Sequence, residues 1–111
     1  MNKNSLPKLV RDRIPSIIEE TNSTCTVSYA KDLKEHTKWL KSKILEETNE
    51  FIEDPSYAEA ADMVEVVKAF CHINGLEWNM VLKAAKLKGE THGGFYDGVV
   101  LETVNYEMKD A

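Results

Sequence analysis

The chain has 111 residues, 42% of them hydrophobic and 30% charged, with a net charge of −5. That length suits one compact domain with a modest core, and the composition is that of a soluble globular protein. The acidic balance works against nucleic acid polymers and anionic membranes, so a phosphate-bearing ligand would need a metal ion or a few placed cations.

The two cysteines, Cys25 and Cys71, are far apart and join no Cys/His cluster. That pattern argues against both a zinc site and a disulfide framework, and it suits a reducing compartment. The opening MNKNSLPKLVRDRIP lacks the apolar run of a secretory signal, and no stretch approaches a membrane span. A cytoplasmic protein is the expectation. No repeat, low-complexity run or linker divides residues 1–111, so a single domain is expected.

Taken in order, the first few residues read as loose. A short helix is predicted from Pro15 to Glu20, with Asp12 as its cap and Ile14, Ile17 and Ile18 on one side. The β-branched and aromatic run TCTVSYA (24–30) predicts a short strand. Asp32 can cap a long helix from Leu33 to about Glu53. Asp54-Pro55-Ser56 interrupts the pattern, and Ser56 with Glu59 three residues on has the form of a capping box. That third helix would run to about Ile73 and stop at Asn74-Gly75. A fourth is predicted from about Glu77 to Lys88. Gly93-Gly94 excludes helix, and 99–104 reads as a second strand able to pair with 24–30. The final YEMKDA (106–111) reads as frayed.

The stretch EETNEFIEDPSYAEAAD (46–62) carries the chemistry. On a wheel of about 100° per residue, Leu40, Ile44 and Phe51 fall within about 60° of Glu47. Glu50 flanks that stripe and Glu46 lies further out. On the next helix Met63, Val66, Phe70 and Ile73 fall within about 40° of Glu59, and Asp62 flanks them. Each helix therefore sets one acid inside its apolar stripe and a second beside it. A tight Asp-Pro turn makes the helices antiparallel neighbours, so the four acids would face each other. Gathered carboxylates cannot all stay ionised without a cation, and hard divalent cations take oxygen ligands. Spacing alone leaves two readings level: a Mg²⁺ or Mn²⁺ site on Glu47, Glu50, Glu59 and Asp62, or a solvated acidic face matched by lysines. A di-iron centre is disfavoured, because no histidine has Glu three residues before it.

E-E-x-x-E followed by E-x-x-D, here EETNE (46–50) and EAAD (59–62), resembles the signature of the MazG-like nucleotide pyrophosphohydrolases. KLVRDRIP (8–15) and KGETHGGF (88–95) are similar to the opening and closing stretches of their phosphoribosyl-ATP pyrophosphohydrolase-like branch. The resemblance runs over about residues 6 to 104. It implies a mainly α protein, a MazG-like bundle of about four helices with a small two-stranded β element. It implies Mg²⁺, with Mn²⁺ as the alternative ion, on Glu47, Glu50, Glu59 and Asp62. Glu46 would stand beside the site, holding a second metal or orienting the attacking water.

The implied reaction is hydrolysis of a (d)NTP or related nucleotide between the α and β phosphates, of house-cleaning type. Lys88 is the first candidate for a phosphate contact. Arg11 and Arg13 either reach phosphate or pair with neighbouring acids to fix the chain. His92 stands where the family has Arg before Gly-Gly-Phe, and a neutral imidazole offers one donor and no permanent charge. The implied assembly is a homodimer or homotetramer. Two alternatives stay open: phosphoribosyl-ATP as substrate, or a catalytically weak nucleotide-binding or interaction module. Lys31, Lys34, Lys38, Lys41 and Lys43 read as a solvated face.

Overall fold

The computed structural model describes residues 6 to 105, and the expectations for the loose first residues and for YEMKDA fall largely or wholly outside them. It contains four helices: α1 (Ile14–Glu20), α2 (Leu33–Glu53), α3 (Tyr57–Ile73) and α4 (Trp78–His92). Two compact units divide the chain, one ending at Trp78 and the other beginning at Asn79.

Local chemistry fixes the two long helices. Asp32 is extended and its carboxylate accepts from the Glu35 N–H at 2.8 Å, satisfying one orphan donor of α2. Ser56 does the same for α3, its Oγ accepting from the Glu59 N–H at 3.2 Å. At the other end of α3, Gly75 takes a φ of +73°. Its N–H reaches the His72 carbonyl, and the Leu76 N–H reaches the Cys71 carbonyl, the paired bonds of a Schellman stop. The backbone there needs the left-handed region, which glycine enters without steric cost.

In the first unit α2 and α3 pack together as a hairpin closed by residues 54–56. Its buried apolar residues are Leu40, Val66 and Cys71. Thr48 Oγ1 reaches across from α2 to Met63 Sδ at 3.6 Å. Neither α1 nor α4 buries a residue.

Three expectations are corrected. No strand occurs among the described residues, so the two-stranded element at 24–30 and 99–104 is not formed. β-Branched residues favour an extended backbone, but a strand exists only where a neighbour takes up its N–H and C=O groups. Here Val27, Tyr29, Val99, Val100 and Leu101 are exposed instead. The cap of α1 is Arg13, with no side-chain hydrogen bond, because Pro15 occupies the first turn and Asp12 lies one residue too early. Finally, α4 continues past Lys88 to His92. Gly89 costs it about 1 kcal/mol but does not end it, whereas Gly93, at a φ of +84°, does.

Candidate metal centre

The hairpin brings together the acids that the sequence singled out. Oxygens of Glu47, Glu59 and Asp62 lie within 4.8 Å of one another, and so do oxygens of Glu46, Glu47 and Glu50. Glu47 belongs to both groups and is the point where the two motifs meet. Oxygens on one Mg²⁺, at bonds of about 2.1 Å, sit at most about 4.2 Å apart. The observed spread is therefore a small side-chain adjustment away from common ligation.

Burial makes the cluster unusual. Glu46, Glu47, Glu50 and Glu59 are 5%, 6%, 9% and 7% exposed, as low as the apolar core itself. Taking an ionised carboxylate out of water costs several kcal/mol unless a partner compensates. Lys43 supplies part of that compensation, its Nζ lying 3.4 Å from Glu46 and 3.3 Å from Glu47. Arg11 supplies more, with Nη2 2.6 Å from Asp62 Oδ1. Even so, Glu47 Oε2 and Glu50 Oε1 are buried with no hydrogen-bond partner among the described residues. Buried acceptors of that kind are rare and ask for an explanation.

The electrostatics agree. The Glu47 carboxyl is pushed above its ordinary value of 4.5, chiefly by burial, with Glu50 and Asp62 adding like charge and Lys43 opposing them. The residues fit a hard divalent cation: oxygen donors only, converging and desolvated.

Sequence reasoning misplaced two of these residues. Glu46 was set outside the apolar stripe, yet it is buried. The packed face of α2 is broader than its apolar residues, and Glu46 shares an edge of it with Glu50, one helical turn on. Lys43 was assigned to the solvated face, yet it is half-buried and ion-paired. A signal for it was present in the spacing, since Lys43 stands three and four residues before Glu46 and Glu47. By contrast Glu53 and Asp54, at the end of α2, are exposed.

The expected phosphate contacts divide differently. Arg11 binds an acid, one of the two uses open to it. Arg13 is exposed at the start of α1. Lys88 and His92 are exposed on α4, where His92 Nδ1 lies 2.8 Å from Thr91 Oγ1. Both belong to the second unit.

No family model, curated protein or solved structure matches the chain. No described helix is long and apolar enough to cross a membrane.

Proposed function

We propose that the hairpin is a divalent-cation centre serving hydrolysis of a nucleoside triphosphate between its α and β phosphates, giving a monophosphate and pyrophosphate. One observation carries the reading. Glu47 is buried, keeps an unpartnered oxygen, and shares short oxygen separations with acids of both helices. A solvated acidic face predicts exposed carboxylates paired by lysines, and four of these five are buried. The similarity of EETNE, EAAD, KLVRDRIP and KGETHGGF to the MazG-like hydrolases supplies the reaction class.

In this reading Glu47, Glu50, Glu59 and Asp62 hold Mg²⁺ or Mn²⁺. Bound there, the ion neutralises phosphoryl oxygens and lowers the pKa of a bound water. Glu46, fixed by Lys43 at the edge of the cluster, orients the attacking water and takes its proton. The α phosphorus gains that oxygen, and the bridging oxygen leaves with pyrophosphate. His92, in place of the family arginine, favours as a second reading a module that binds nucleotide and turns it over weakly.

The test is pyrophosphate release from a panel of (d)NTPs, with phosphoribosyl-ATP included, in Mg²⁺. Release with one nucleotide class, lost in Glu59→Gln, supports the enzyme. Release that survives Glu59→Gln refutes the ligand assignment, and nucleotide binding without release favours the module.

We also infer a homo-oligomer. Leu45 and Ile52 on α2 and Tyr57 and Val64 on α3 are exposed on the hairpin, and its buried apolar set is small. Light-scattering mass in solution tests this. Two free thiols, one of them exposed, suit a cytoplasmic location.

A further inference from the structure

A side-chain ion pair between distant parts of the sequence joins the segment before α1 to the acid cluster. Arg11 Nη2 donates to Asp62 Oδ1 at 2.6 Å across 51 positions. Both side chains are partly exposed, 54% and 37%, so a bond made only for stability would contribute little there. Its location gives it a different use. Asp62 is the least buried acid of its group, and Glu47 and Glu59 offer oxygens within 4.8 Å of its own. A half-exposed aspartate has several rotamers open to it, and only some keep an oxygen on the cluster.

The backbone of Arg11 is itself held. Its carbonyl accepts from the Ile14 N–H at 3.1 Å in the turn that enters α1, and Pro15 restricts the backbone beyond. A planar guanidinium on an anchored backbone fixes carboxylate direction in a way a flexible ammonium does not.

We propose that Arg11 is a positioning residue for the metal centre: it orients the Asp62 carboxylate toward Glu47 and Glu59. The inference rests on the metal reading above. It makes the segment before α1 a working part of the site rather than a strap. It also separates two tasks among the cations: Lys43 offsets charge within α2, and Arg11 directs a ligand of α3. Partners outside the ligand shell typically account for about 10-fold to 100-fold in metal affinity.

The experiment is Mn²⁺ titration of the full chain, read by the paramagnetic resonance of free Mn²⁺. It compares wild type, Arg11→Ala, Arg11→Lys, Asp62→Asn and the Arg11→Ala/Asp62→Asn and Arg11→Lys/Asp62→Asn double variants, with helical dichroism recorded for each. Arg11→Ala is expected to weaken Mn²⁺ binding about 10-fold, and Arg11→Lys less. In the Asp62→Asn background, Arg11→Ala is expected to add less than about twofold, because its target is gone. Wild-type affinity in Arg11→Ala, or an undiminished loss in the Asp62→Asn background, overturns the inference and leaves the metal centre standing. No Mn²⁺ uptake by the wild type at millimolar ion overturns both. Should Arg11→Ala lose helical dichroism, Arg11→Lys decides. A loss that vanishes in the Asp62→Asn background supports positioning. Wild-type affinity, or a loss that persists there, overturns it.

Discussion

The α2–α3 hairpin and the region from Asn79 onward are built from similar materials to different ends. Both carry amphipathic helices with leucine, valine and charged residues. The hairpin buries every well-buried residue described, and four of those seven are glutamates. α4 buries none, leaving Met80, Leu82 and Leu87 half exposed or more. A chain short of buried apolar surface has thus given some of its best-buried positions to acids. For stability alone that is a poor choice, since apolar residues of similar volume would do as well or better. The difference supports the proposed site, which falls in the region whose sequence works against its own packing.

Core truncation should break the comparison most sharply. Leu40→Ala, at a position 2% exposed, is expected to cost about 2–5 kcal/mol, whereas Leu87→Ala should cost under about 0.5 kcal/mol. Urea unfolding of the two variants checks this, and equal losses would show that α4 is as much core as the hairpin.

The acids come next. Glu47→Gln is expected to weaken Mn²⁺ binding at least about 100-fold, about 2.7 kcal/mol, because Glu47 serves both acid groups. Glu53→Gln, on an exposed acid at the end of the same helix, should leave binding within about twofold. Calorimetric titration of both variants tests whether burial, and not acidity in general, marks the site.

Much of this contrast was legible from residues alone. Caps are local, so Asp32, Ser56 and Asn74-Gly75 placed both long helices within a residue or so. Helical periodicity put Glu47 and Glu59 among apolar neighbours, and both are buried. What depends on distant partners was not legible. The β-branched runs at 24–30 and 99–104 describe a preference for extended backbone and say nothing of whether a neighbour will pair with it. A single helical wheel sees one helix and none of what packs on it, so it missed the burial of Glu46. Arg11 could be assigned to acids or to phosphate, but no spacing rule connects it to Asp62, 51 residues away.

The pH dependence sharpens the comparison further. The Glu47 carboxyl is raised in the fold, mainly by burial, so the folded protein holds a proton that the unfolded chain releases near 4.5. A raised value contributes stability below the unfolded pKa and loses it as pH rises through the folded one. In chelator, the part of stability that depends on Glu47 should therefore fall as pH rises above about 4.5. Glu47→Gln should flatten that dependence. Mn²⁺ should act oppositely on the wild type. Ligation needs the ionised form, so saturation at 100 times the dissociation constant adds about 2.7 kcal/mol and adds less as pH falls. Thermal unfolding across pH, with and without the ion, reads both signs.

The smallest expected effect lies where fold and site share a residue. Ser56 caps α3 by accepting from the Glu59 N–H, and Glu59 is a proposed ligand three positions along. Ser56→Ala should cost about 1 kcal/mol of stability, the ordinary value of a lost cap. If the cap also fixes the first turn of α3 for ligation, Mn²⁺ affinity should drop by about twofold to threefold. The matching change at the other cap, Asp32→Ala, starts α2 four turns from Glu47 and should cost similar stability while leaving affinity unchanged. Equal affinity losses in the two variants would mean that fraying of the whole hairpin, and not the seat of Glu59, governs binding.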